Sequence, residues 1–141
     1  MANPRKLDRL LRVRTLQLDL IRADEVRARQ RVDQEAALRE RIAALAANVA
    51  PSAVEGETFA TSLIAAAHLR DRLNQSAQAA DRRVVVAEES LESARAATRE
   101  ARRDQSAIEK LIVREEAEAA LKMLRSLETL PPGGRKRHDL C

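Results

Sequence analysis

The sequence predicts an all-α protein: a long antiparallel two-helix coiled coil, a helical hairpin, with helix 2 longer than helix 1. Three observations predict it. Hydrophobic residues make up 45% of the 141-residue chain, but 27 of them are Ala and 18 are Leu, with one Phe and no Tyr or Trp. Aromatic side chains bury the most area each, so their near absence argues against a compact core, a β-sandwich or a dinucleotide-binding domain. Charged residues reach 34%, and Gly and Pro are confined to positions 4, 51, 56 and 131–134. The third observation is a heptad repeat that runs through most of the second breaker-free segment.

Helix 1 is expected over 4–48. Asn3 can cap the free amides of a first turn, and Pro4 suits the first helical position, where no amide bond is lost. Asn48 can close the helix and Pro51 cannot extend it. Its apolar pattern is weaker than that of helix 2. Leu7, Leu11, Leu18, Ile21, Ala28 and Val32 share one register, interrupted by Arg14 and Glu25. Leu38, Ile42, Leu45 and Val49 fit another, so a slip is expected near Glu35.

A turn over 49–57 follows. Ser52 to Glu55 has capping-box spacing, but a start at Thr58 keeps Gly56 out of the helix and is preferred. Helix 2 is expected over 58–129, because Pro131 pushes Leu130 out of the helical region. A 4,3 step from Phe59 through Leu63, Leu73, Val84, Leu91, Ile108 and Ile112 to Ala119 visits 18 positions, of which 14 are apolar. A period of 3.5 held this long specifies a left-handed coiled coil. Asn74-Gln75-Ser76 is a possible break, but the heptad passes through it in phase. Residues 130–141 read as a flexible basic tail.

Two helices with a short connection fold back antiparallel. With a turn centred near residue 53, partner numbers should sum to about 106. Val32 is then expected beside Leu73, Ile21 near Val84, and Leu11 near Ala94. Residues 102–129 would have no partner within the hairpin. The many Ala seam positions bury little each, at about 0.8 kcal/mol per CH₂, so a thin, marginally stable hairpin is expected.

The residues for site chemistry are missing. No P-loop spacing exists, and His68, His138 and the single Cys141 cannot make a metal set at the usual spacings. Glu88-Glu89 and Glu115-Glu116 read as solvated helix-surface carboxylates that pair with bases one turn away. No catalytic, cofactor-binding or metal-binding residues are expected, no cofactor and no small-molecule substrate, and the chain is expected not to be an enzyme. The longest apolar run, Ile42–Ala47, is far short of a membrane span, and no signal peptide is read. A lone thiol fits a reducing compartment.

The net charge of +4 is unevenly placed. Residues 1–14 carry five bases and one acid, while 15–50, 59–101 and 102–130 each balance six against six. The bases of the tail are Arg135, Lys136 and Arg137. A nucleic-acid binder more often carries a continuous basic stripe, and a bZIP-type basic region would need a longer basic block leading into a zipper. Nucleic acid is therefore not an expected partner.

Two stretches carry a resemblance. Lys6-Leu7-Asp8-Arg9-Leu10-Leu11-Arg12-Val13-Arg14 resembles the opening of the flagellar FliJ family, a basic Leu-Leu-Arg-x-Arg segment that leads into a long charged helix. Residues 94–118, with Ala101-Arg102-Arg103 and Ile108-Glu109-Lys110-Leu111-Ile112-Val113-Arg114-Glu115, are similar to that family's second-helix segment. The Pro-Pro-Gly-Gly tail and the short first helix depart from the family pattern. The resemblance implies a cytoplasmic component of the flagellar type III protein export apparatus, held peripherally at the inner membrane. The injectisome stalk proteins are similar. Its implied partners are the export ATPase hexamer, the export-gate membrane protein and the export chaperones. Docking into the ATPase ring would use Ile108, Leu111, Ile112, Leu121 and Leu124, flanked by Arg9, Arg12, Arg14, Arg103, Lys110 and Arg114. Self-association through 102–129, a generic coiled-coil scaffold and a basic helical nucleic-acid-associated protein are the alternatives.

Overall fold

A computed structural model describes residues 4–49, 58–131 and 133. Two α-helices make up the fold: α1, Pro4–Asn48, and α2, Thr58–Glu128. They pack against each other as an antiparallel helical hairpin. The proposed Asn3 cap, the turn at 50–57 with its Ser52–Glu55 capping box, and most of the tail with Cys141 lie outside the described residues. Helix α2 is continuous through Asn74-Gln75-Ser76. It ends at Glu128, where Thr129 N still donates to Arg125 O at 3.2 Å and Leu130 N tightens to Leu127 O at 3.3 Å just before Pro131. The Thr129 hydroxyl donates to Ser126 O at 3.0 Å and Arg125 O at 3.2 Å, and Ser126 Oγ donates to Met123 O at 2.7 Å.

The chain divides into two compact units, Met1–Leu16 with Arg102–Cys141, and Gln17–Ala101. In the second unit the core consists of Leu18, Ala80, Val84, Ala87 and Leu91, with Thr98 as a buried polar residue. Leu18 and Ala80 are each 1% exposed. The Thr98 hydroxyl is satisfied by its own helix, donating to Ala94 O at 3.1 Å, so burial leaves no donor orphaned. Cross-helix ion pairs join Arg39 to Asp81 at 3.9 Å and Arg83 to Glu35 at 3.5 Å. Arg70 occupies a heptad position yet is exposed. Its Nε donates to the carbonyl of Val49 at 3.4 Å, which satisfies a backbone group just past the end of α1.

In the first unit Leu7 and Ile108 are the buried apolar residues. Arg14 pairs with Asp104 at 3.5 Å, and Gln105 Nε2 donates to Thr15 Oγ1 at 3.2 Å. Thr15 Oγ1 in turn donates to Leu11 O at 2.9 Å. A half-buried polar layer thus sits within the seam with its groups connected.

These cross-helix pairs fix the register. In each unit the numbers of paired residues add to about 119, which corrects the expected sum of about 106 by some 13 residues. Val32 faces Ala87 rather than Leu73, Ile21 faces Thr98 rather than Val84, and Leu11 faces Ile108 rather than Ala94. The physical reason lies in the layers this register makes. Leu18 meets Ala101, Ala28 meets Leu91, Val32 meets Ala87, and Ile42 meets Ala77. A large side chain opposite a small one fills a layer without forcing the helices apart.

The slip expected in α1 near Glu35 is local. Leu38 is half-buried and Arg39 exposed, but beyond them Ala46 is half-buried and Leu45 exposed, so the first register returns through Ile42, Ala46 and Val49. Arg14, Glu25 and Glu35 hold seam positions half-buried. Arg14 and Glu25 carry their charged ends outward and leave their stems in the seam. Glu35 keeps its carboxylate in the seam as well: Oε2 is buried without a hydrogen bond, and its charge is met by Arg83 Nε at 3.5 Å. In α2 every heptad position from Leu73 to Glu115 is buried or half-buried, while Leu63 and Ala119 are exposed.

The register has a direct test. With Cys141 replaced by Ser, paired cysteines at Val32 and Ala87, or at Leu11 and Ile108, should oxidise to a disulfide within one chain, because facing seam positions meet the Cα separation a disulfide needs. Pairs at Val32 and Leu73, or at Leu11 and Ala94, should not. Non-reducing electrophoresis with peptide mapping distinguishes the two registers.

Candidate functional site

The register moves the limit of the seam along α2. Pro4, the first residue of α1, stands opposite Glu115, so among the described residues α1 faces α2 as far as about residue 115 rather than 101. Ile108 is correspondingly only 7% exposed, buried in the layer with Leu11. Ile112 is half-buried in the layer with Leu7. Neither is a free docking residue, which corrects the expectation that both belong to an exposed stripe. Arg14 is also engaged, through Asp104.

What remains exposed in this unit is both apolar and basic. Leu111, Leu121, Leu124 and Leu127 are between 47% and 57% exposed, and Val113 and Met123 more so. On a helical projection Val113, Ala117, Ala120, Leu124 and Leu127 fall on one face, with Leu121 and Met123 on its two edges. That face points away from the seam positions Ile108, Ile112 and Glu115. The apolar period of the sequence signals this face but does not separate it from the seam residues Ile108 and Ile112.

Beside it, Arg102, Arg103, Ser106, Ala107 and Lys110 line an open groove of about 400 Å³. Arg102, Arg103 and Lys110 have no anionic partner within 4 Å among the described residues, and neither do Arg9 and Arg12 on α1. Arg114 pairs with Glu118 at 3.5 Å, one turn along α2. Both side chains are more than half exposed, and such a pair exchanges readily for another partner. Arg102 and the groove residues Ser106 and Ala107 were not among the residues singled out from sequence. Only Arg102's position beside Arg103 signalled it.

Two further features belong to the geometry. Among the described residues no group of three or more His, Cys, Asp or Glu is placed to hold a metal ion, and His68 is exposed. No helix among them is long and apolar enough to cross a membrane. No protein-family model, no curated relative and no solved structure matches the chain.

Proposed function

We propose that this chain is a non-enzymatic coiled-coil component of the flagellar type III protein export apparatus. It docks in the export ATPase ring and links that ring to the export gate and its chaperones. The observation that carries the reading is a helical hairpin whose α2 runs on past the start of α1, with apolar residues and unpaired bases exposed on that unit. The likeness of residues 6–14 and 94–118 to the FliJ family supplies the identity of the ring. The apolar face of 117–127 provides the contact area, and Arg9, Arg12, Arg102, Arg103 and Lys110 provide attraction toward an acidic pore. Such attraction speeds encounter and weakens with salt. On this reading the chain works in the cytoplasm at the inner-membrane export machinery.

The test is a pull-down against the cognate export ATPase, with ATP hydrolysis measured alongside. Leu121→Asp with Leu124→Asp, or Arg103→Glu with Arg102→Glu, should reduce binding and stimulation about tenfold or more, the equivalent of 1.4 kcal/mol. The thermal melt should stay within about 0.5 kcal/mol of the parent, because these side chains are exposed. Parent-like binding by both variants removes this surface from the interface. Binding to a DNA fragment with a steep salt slope would favour the nucleic-acid alternative.

A further inference from the structure

Past about residue 115 no described residue of α1 faces α2, and α2 continues to Glu128. Every residue of 116–128 is exposed. Leu121, Met123, Leu124 and Leu127 are between 53% and 67% exposed, and an apolar stripe of this kind on a surface helix marks an interaction site.

The order of residues along the stripe says what covers it. Ala117, Ala120, Leu124 and Leu127 follow the 3,4,3 spacing of a coiled-coil seam, with two small residues first and two large ones last. Turned end for end, this sequence complements itself, as a two-fold symmetric contact between identical surfaces requires. In an antiparallel pair whose facing numbers add to about 244, Leu127 of each copy meets Ala117 of the other, and Leu124 meets Ala120. Every layer then sets a large side chain against a small one, as the hairpin's own seam does. On one flank Leu121 meets its own equivalent across the two-fold axis, and on the other Met123 does. At both ends Arg114 comes beside Glu128, so opposite charges close the pair. An alignment one heptad away, near 237, would set Ala117 against Ala120 and Val113 against Leu124, and would leave Arg114 beside Leu121. The extents agree as well. Residue 116 faces 128, so the stretch beyond the seam in one copy spans the same stretch in the other. The stripe also lies on a different side of α2 from the seam positions Ile112 and Glu115, so α1 does not obstruct it.

We propose that a second copy of this chain covers the α2 extension, through an antiparallel, two-fold symmetric pairing of residues 114–128. The paired stretch is about 21 Å long, which places the interface in the small, transient class below about 1,200 Å². Pairing is therefore reversible and set by concentration. It covers Leu121 and Leu124, so a copy leaves the pair before this face meets any other partner. The inference draws on the residues of the extension alone and stands apart from the export reading.

Sedimentation equilibrium on the full chain with Cys141→Ser, from micromolar to millimolar concentration, should show a monomer–dimer equilibrium. Leu124→Asp should raise its dissociation constant about tenfold or more. Arg114→Glu and Glu128→Arg should each raise it about threefold or more, and the two changes together should restore it. Circular dichroism checks that each variant remains helical. Under oxidising conditions, chains carrying Ala117→Cys should form a disulfide with chains carrying Leu127→Cys, and neither should link to its own kind. A chain that stays monomeric at every concentration overturns the proposal. So does a dimer indifferent to Leu124→Asp and to charge reversal, which would place the contact on another face. Ala117→Cys chains that link to one another would mean parallel pairing, and the antiparallel arrangement would be wrong.

Discussion

Truncating Leu18 to Ala should destabilise the hairpin by about 2–5 kcal/mol, a large share of the 5–15 kcal/mol typical of folded domains. Leu18 is 1% exposed and the largest fully buried side chain. It meets Ala101 across the seam, so no larger neighbour is there to collapse into the space. The loss combines transfer free energy with a cavity that stays open. Leu91, 8% exposed and facing Ala28, should show a loss in the same range when changed to Ala. Leu20→Ala is the control: the chemistry is identical, but Leu20 is 67% exposed, and the change should stay within about 0.5 kcal/mol. Urea titrations followed by circular dichroism measure all three. A Leu18→Ala variant as stable as the Leu20→Ala control would mean that Leu18 is not in the seam.

The opposite change should also cost stability. Ala80→Leu adds three heavy atoms at a site 1% exposed, in a layer already closed around a small side chain. Overpacking of this kind destabilises by about 1–3 kcal/mol. The gain from extra apolar area does not offset it, since the neighbouring layers at Ala77 and Val84 hold the helices at their spacing. A raised melting temperature would show instead a gap beside Ala80 that the larger side chain fills.

The ends of the helices were legible because they depend on single residues. Pro4 and Asn48 bound α1, and α2 stops at Glu128, just short of Pro131, each through a local backbone requirement. The inward face of α2 was legible for the same kind of reason, since the heptad belongs to one strand of sequence. The register between the helices was not, because it is a property of two stretches read together. A turn centre assumed at residue 53 gave a sum of about 106. The ion pairs Arg14–Asp104, Arg39–Asp81 and Arg83–Glu35 all agree on about 119, and aligning opposite charges across the two segments would have found it.

The same error reached the candidate surface. Counting 102–129 as unpaired placed Ile108 and Ile112 outside, although both belong to layers with Leu11 and Leu7. The exposed face of 117–127 lies on a different side of α2, and the apolar period alone does not separate a seam from a second face. The slip expected near Glu35 had a related origin. Leu38 is half-buried but Leu45 is exposed, so the apolar pattern holds at one position and fails at the next, while Glu35, a charged residue, occupies the seam.

The polar layer of Arg14, Thr15, Asp104 and Gln105 has a consequence for how the chain searches for its fold. A heptad repeat with many Ala positions offers several alignments of similar apolar content, each shifted by seven residues. In one of them Arg14 comes to face Thr98, and in the other Ile112. Either shift takes the Arg14 charge away from Asp104 and leaves the Gln105 amide without Thr15. Losing a hydrogen bond between half-buried side chains costs about 0.5–1.5 kcal/mol, which sets both neighbouring alignments above the native one. A few hydrogen bonds thereby confer on a repetitive sequence the single deep minimum that its leucines and alanines alone would leave degenerate.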